Sequence, residues 1–373
     1  MTDIFDGIKK LGFGMMRLPM LQDGSVDIES VSKMFDYFIG HGFSYFDTAY
    51  VYADGKLEEA VRETLVKRYP RENWQLATKL PIWLVSETRD MEKMFETQLE
   101  RTGAGYFDFY LLHAQDAQSN ERCKKLGAWE FMKQKKEAGL IRHIGFSFHD
   151  KAEVLDKILI EHPEAEFVQL QINYIDWEDG AVESRLCYET ALKHGKPVVV
   201  MEPIKGGSLL RVKPEILEIF RQANHLSKPA SWALRFVSSL PGVKLILSGM
   251  NDMSQVIENC ETLESFKPLD DRERETISRV VAEIKKIPEI PCTRCNYCVE
   301  TCPRKVPIPQ GIGALNLYRI YNNYDEAAHI YGGGLRDGSS ASDCIECGAC
   351  QERCPQHLPI IEIMKEVVSA FGK

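Results

Sequence analysis

Eight short apolar runs, rich in β-branched and aromatic residues, recur along this chain at 11–14, 43–47, 74–80, 107–113, 141–147, 167–174, 197–203 and 243–249. Stretches at 28–41, 56–69, 87–101, 122–138, 152–161, 181–194, 229–238 and 253–263 follow them in turn. Most place apolar residues three and four apart, the period of a helix buried on one face. Strand then helix, eight times over, is the pattern of an α/β fold in which parallel strands close into a (β/α)8 TIM barrel. At 373 residues the length alone suggests two or three domains, yet such a barrel takes about 250 residues as one unit. One more charged helix is expected at 270–286, and the prolines at 288 and 291 then stop it. The expected division is a barrel at 1–286 and a second, mostly helical domain at 287–373.

That second domain carries a phrase written twice: Cys292, Cys295, Cys298 and Cys302-Pro303, then Cys344, Cys347, Cys350 and Cys354-Pro355. Each reads C-x2-C-x2-C-x3-C-P, the bacterial pattern for ligating [4Fe–4S] clusters, in which the fourth Cys often serves the other cluster. Three thiolates in one loop can wrap three irons of a cubane while the fourth arrives from elsewhere. Zinc sites also use C-x2-C pairs, but three cysteines in one loop plus a Cys-Pro, repeated, fit them poorly. The eight cysteines are expected to hold two clusters, with Cys354 completing the first and Cys302 the second, or each closing locally. Cys123, Cys187 and Cys260 stand alone in helix-like segments and read as small core residues. The long segment between the phrases excludes a minimal ferredoxin hairpin.

Net charge is −9 with scattered basic residues, so no basic stripe suited to nucleic acid is present. Residues 1–10 show no apolar run, so no signal peptide is expected, and no stretch of about 20 apolar residues suggests a membrane span. Cysteine usage of this kind points to a reducing, cytoplasmic setting. Small molecules and other proteins are the expected partners.

In a barrel of this kind chemistry sits at the C-terminal ends of the strands. Those ends are polar here: Asp47 on the second, Lys79 on the third, His113 on the fourth, Ser147 on the fifth, with Gln169, Gln171 and Asn173 alternating along the sixth. Singly, Asp47 could cap a turn, Lys79 could extend its ammonium to water and His113 could be a satisfied core histidine. Together on successive strands they read as one pocket, because an unpartnered charge in a barrel mouth is costly.

These residues resemble the aldo-keto reductase family. The resemblance is carried by Phe46-Asp47-Thr48-Ala49-Tyr50-Val51-Tyr52, Ala77-Thr78-Lys79, Tyr110-Leu111-Leu112-His113 and the run from Gly139 to Ser147. It covers roughly residues 1 to 265 and implies a catalytic tetrad of Asp47, Tyr52, Lys79 and His113. Tyr52 is then the general acid or base. Tyr50 is a competing phenol, but the family spacing, five residues after the Asp, selects Tyr52. A free Tyr has a pKa near ~10, which a nearby Lys79 ammonium lowers. Asp47 would hold Lys79, and His113 would orient the substrate oxygen.

The resemblance also implies a site for NADP or NAD. Ser147 and Gln169 fall where the nicotinamide carboxamide is held, and Met201 where many members stack a Tyr, with Glu202 following. Gly249, Met250, Gln255, Glu258 and Asn259 fall on the phosphate loop and its helix. Gly249 and Gln255 stand where NADPH-selective members usually carry Lys or Arg, which leaves the choice of nucleotide open. Trp83, His149 and Trp177 are expected at the rim of the mouth.

The full chain resembles a subgroup of aldo-keto reductases with a fused dicluster ferredoxin-type domain. The implied function is hydride transfer between NAD(P)H and a small-molecule carbonyl or alcohol, with clusters that exchange electrons with a redox protein, a ferredoxin or flavoprotein. Hydride carries two electrons and each cluster one, so something must split the pair. A nucleotide-binding sensor or electron-transfer adaptor, whose clusters are sensory or structural, is the alternative.

Overall fold

The computed structural model describes residues 3–225, 227–292, 294–333, 335 and 339–372. Eight strands, β1 (Leu11–Gly14), β2 (Tyr45–Asp47), β3 (Gln75–Leu80), β4 (Phe107–Gln115), β5 (Ile141–Phe148), β6 (Phe167–Gln171), β7 (Val198–Met201) and β8 (Val243–Gly249), close into one barrel in sequence order. Every neighbouring pair is parallel, including the seam at which β8 joins β1.

Several strands are shorter than their apolar runs. Phe43 and Trp74 are buried but precede the ladder, and β6 stops at Gln171, so Asn173 lies beyond it. The stretch expected as one helix at 122–138 is two, Ala117–Leu126 and Ala128–Glu137. Gly127 separates them at φ 71°, a left-handed backbone that ends a helix and that glycine adopts without strain. The helix at 56–69 is regular only over Lys56–Val61 and continues as a π turn, Arg62–Val66.

Period-two alternation explains how one cylinder has an oily floor and a polar mouth. The interior is packed by Tyr45, Ala77, Phe109, Leu111, Phe167, Val199, Leu245 and Leu247. Phe5 plugs the N-terminal end, stacked on Phe109 at 5.1 Å and edge-on to Phe167 at 5.9 Å. Two residues farther along the same faces come Asp47, Lys79, His113, Gln169 and Met201. The opposite faces, with Leu11, Phe13, Phe46, Leu76, Tyr110 and Ile246 among them, pack into the larger core with the helices.

By contacts the chain forms two compact units. One is Met1–Ile204 with Ala230–Arg274, and the other is Lys205–Pro229 with Glu275–Lys373. The second unit is helical, with helices Pro214–Ala223, Ile308–Tyr321, Tyr324–Gly333 and Ile360–Phe371 and two short ones, Tyr297–Thr301 and Ala349–Arg353. Ile308, Ile312, Leu315, Ile360, Met364 and Val367 form its core. Asn323 Nδ2 donates to Ser208 Oγ at 3.1 Å, fastening the 205–229 segment within that unit. Among the described residues no helix is long and apolar enough to cross a membrane.

Candidate active site and cysteine cavities

The β2–β3 register, with Asp47 beside Ala77, brings Asp47 and Lys79 together at the mouth. Lys79 is fully buried, and its Nζ donates to Asp47 Oδ1 at 2.6 Å and to the Thr48 carbonyl at 2.7 Å. Burial opposes the charge on Lys79, but Asp47 and Tyr52 more than offset it and hold the lysine above its ordinary value. Burial likewise pushes Asp47 up, with Lys79 pulling against it.

Tyr52 opens the turn Tyr52–Gly55 that follows β2, with its ring centroid 5.1 Å from Lys79 Nζ. From sequence, Lys79 is expected to lower this phenol. Its pull is present, but burial is the larger effect and the phenol stands above the usual tyrosine value. Tyr52 is therefore a protonated donor at neutral pH. His113 meets Tyr52 edge-on at 5.9 Å, and Trp83 covers its other side at 5.1 Å while remaining 46% exposed. Burial first, then the charges of Lys79 and His149, drive His113 well below 6.5, so its imidazole is neutral.

A buried network that no sequence motif signals holds this arrangement from behind. Glu58 accepts from Thr78 Oγ1 at 2.8 Å and Gln98 Nε2 at 2.8 Å. Gln98 also reaches the Lys79 carbonyl at 3.2 Å. Arg101 joins Glu58 to the Tyr50 carbonyl, both at 3.2 Å, lies over the Tyr50 ring and fills the space that a Cβ on Gly55 would need. Tyr50, the competing phenol, is thus engaged beneath Arg101.

Ser147 is buried, and its Oγ accepts from Ala114 N at 2.8 Å. Gln169 Nε2 reaches Met201 Sδ at 3.5 Å. Among the described residues Asp47 Oδ2, Thr48 Oγ1, His113 Nδ1 and Gln169 Oε1 are buried without a hydrogen-bond partner. Unpaired groups of this kind each cost roughly 1–3 kcal/mol, which a ligand with matching donors and acceptors would relieve. Gln169 Oε1 is an acceptor and Ser147 a hydroxyl, a set that fits a carboxamide.

The remaining nucleotide residues divide. Glu202 follows β7 with φ 57°, and its carbonyl accepts from Asn173 Nδ2 at 3.2 Å. Gly249 ends β8 in the open. Met250 is wholly buried in the core, which leaves only its backbone to a ligand. Gln255 is engaged with Asn251 and Asp252 at the start of helix Met253–Glu264, and Asn259 Nδ2 is spent on Ser248 Oγ at 3.0 Å. Glu258 is half-buried on the same helix. Trp177 packs against Tyr188 and Phe236, and His149 is exposed, its N–H bonded to the Gln115 carbonyl.

In the helical unit the thiols ring two apolar cavities. Cys292, Cys295, Cys298 and Cys354 line one, and Cys302, Cys344, Cys347 and Cys350 the other. The fourth cysteine of each phrase therefore lies with the first three of the other phrase. Backbone geometry repeats with the sequence: Arg294 and Glu346 at φ 57° and 55°, Asn296 and Gly348 at 63° and 81°, Lys305 and His357 at 52° and 51°. Among the described residues no three His, Cys, Asp or Glu side chains are placed for a single metal ion. Four thiols around a cavity suit a polynuclear group instead, whose positive charge offsets their crowding. Burial, then Cys292 and Cys295, push Cys298 up to about 11. The lone Cys123, Cys187 and Cys260 are buried in the barrel unit and pushed up to about 12, as inert core thiols are.

The chain belongs to the aldo/keto reductase family, whose model matches residues 10–282, and residues 291–358 match the 4Fe-4S dicluster domain. A probable aldo-keto reductase 1 of Glycine max is 30% identical over 148 residues, 38% of this chain and 41% of that protein. A component of the ion-translocating oxidoreductase complex of Buchnera aphidicola is 32% identical over 78 residues, 21% of this chain and 14% of that protein. The matches thus span less than half the length of either relative. An aldo-keto reductase from Klebsiella pneumoniae, solved in complex with NADPH, superposes with TM-score 0.59 at 21% identity, covering 74% of this chain and 91% of its own.

The crossed seating of the fourth cysteines can be checked directly. Cys354→Ser should deplete the cluster of the first phrase rather than its own, leaving about half the iron and sulfide of the wild type. A signal from the second phrase lost instead would mean local closure. The neutral state of His113 has its own readout. The unfolded chain binds a proton on His113 near the ordinary ~6.5 while the folded chain does not, so this stability is complete above that pH and is lost as pH falls toward the depressed folded value. His113→Asn should flatten the fall in denaturation midpoint below about pH 6.5.

Proposed function

We propose that this protein transfers hydride between NADPH or NADH and a small carbonyl or alcohol, with Tyr52 protonating the carbonyl oxygen. The carrying observation is the buried Lys79 ammonium fixed by Asp47 at 2.6 Å and set beside the phenol of Tyr52. Reduction builds negative charge on the carbonyl oxygen, and a protonated phenol next to a fixed ammonium is suited to receive it. The neutral His113 donates a hydrogen bond to the same oxygen without competing as a base. A bound nicotinamide supplies the hydride; Gln169 and Ser147 hold its carboxamide, and Met201 lies along the ring. Gly249, Met250 and Gln255 offer backbone and a helix start to the phosphate end, with Glu258 and Asn259 on the next turn of the same helix. Trp83, on His113, screens the mouth from water on one side.

The domain boundary in this reading falls at 286/287, between the stretches that match the two family models. Clusters held in the cysteine cavities would pass electrons one at a time, and exposed Cys295 and Cys347 give each an edge open to a ferredoxin or flavoprotein partner. Eight thiolate ligands support a reducing, cytoplasmic location.

Tyr52→Phe is expected to lower aldehyde reduction by about 10²–10⁴-fold with nucleotide affinity retained. Unchanged turnover would overturn the assignment. NADPH added anaerobically, with a flavin present to divide its electron pair, is expected to bleach the visible absorbance of the clusters. Persistent colour would separate them from the barrel's chemistry.

A further inference from the structure

Each cysteine cavity shows one exposed thiol, Cys295 in the first and Cys347 in the second. The chain around them repeats its cysteines but not its charges. Over 292–307 it carries Arg294, Arg304 and Lys305 against Glu300, and over the matching 344–359 it carries Glu346 and Glu352 against Arg353.

The fold gathers two guanidinium groups at the first edge. Tyr297, two residues after Cys295, is 44% exposed, and the guanidinium of Arg353, from the second phrase, lies over its ring at 5.7 Å from the centroid. Arg294 is exposed beside Cys295, with Nη2 3.5 Å from the position a Cβ on Gly313 would take. Its guanidinium thus rests over the bare backbone of helix Ile308–Tyr321. Among the described residues neither guanidinium has an ion-pair partner. Glu300, on the short helix there, has Lys305 beside it, whose Nζ reaches the Glu300 carbonyl at 3.4 Å.

At the second edge the charges meet partners of this chain. Lys365 Nζ pairs with Glu346 at 3.0 Å. Asp343 is held low by its Ser340 hydrogen bonds first and then by the charge of Arg304. Ile345, 55% exposed, lies next to these compensated charges.

We propose that the first edge, formed by Arg294, Cys295, Tyr297 and Arg353, is the docking surface for an acidic one-electron carrier protein, and that the edge at Cys347 is not. The proposal deepens, and rests on, the reading in which the clusters exchange electrons with a protein partner. Tyr and Arg are residue types enriched where proteins meet, and electron-transfer encounters need only a small contact. Charge complementarity sets their rate of approach. One electron leaves the reduced carrier and enters the oxidised cluster, and no bond or proton moves.

The full, cluster-bearing protein is mixed anaerobically with a reduced, acidic [2Fe–2S] ferredoxin, and the second-order rate of cluster reduction is followed by absorbance over a range of salt. Arg294→Gln with Arg353→Gln is expected to slow the reaction about tenfold at low salt, the scale of electrostatic steering, with the difference closing as salt rises. Arg294→Lys with Arg353→Lys, which keeps both charges, is expected to retain most of the rate. Arg304→Gln with Lys365→Gln removes as much charge at the second edge and is expected to change it little. Equal slowing in that pair overturns the choice of edge. Unchanged rates in the first pair, with wild-type iron content and visible spectrum, overturn the docking surface. Wild-type clusters that dithionite reduces but the ferredoxin does not, at any salt, overturn the reading of exchange with a protein carrier.

Discussion

The ammonium of Lys79 has no access to water, and its charge is held by hydrogen bonds from two of its three N–H groups to Asp47 and the Thr48 carbonyl, both within 2.7 Å. Removing one member of such a buried pair typically costs about 3–5 kcal/mol, since the other charge is left uncompensated. The pair exists only if β2 and β3 lie in one particular register. A slip of one residue would turn Lys79 out of the barrel and put Thr78 or Leu80 inside. Register, ion pair and site are therefore one constraint. The network of Glu58, Thr78, Gln98 and Arg101 holds β3 and the segment from Tyr50 that leads into the Tyr52 turn.

The barrel was legible because each strand obeys two rules together: β-rich runs mark where it lies, and alternation marks which residues share a face. Tyr45 and Asp47, or Leu111 and His113, could be put on one face from spacing alone. Strand ends were less legible. Residues such as Phe43 and Trp74 are apolar because they are buried, while their backbones lie outside the ladder. The break at Gly127 was also hidden, since a single glycine does not interrupt helical periodicity.

The expected tetrad came from a motif, but the balance of forces on its members did not. Whether Lys79 or burial wins at Tyr52 depends on how deeply the turn is packed, which no local spacing encodes. The buried network was invisible for a related reason: Glu58, Gln98 and Arg101 lie on helices where charged residues are ordinary, and only the fold aims them at one point. The Phe5 plug is one aromatic in a polar stretch. The seating of Cys302 and Cys354 had two answers by spacing, and the tertiary arrangement selects the crossed one.

That crossed seating bears on how the protein is made. Cys302 belongs with thiols that are translated after it, and Cys292, Cys295 and Cys298 with a thiol that emerges last of the eight. At roughly 5–20 residues per second, several seconds pass between the first phrase and the fourth thiol of its cavity. During that interval the nascent chain presents incomplete sets of free thiols. The set built on the later phrase is whole once Cys350 has emerged, whereas the earlier phrase, made first, is completed last. The order in which the ribosome delivers the phrases is thus the reverse of the order in which their cavities can close around a cofactor.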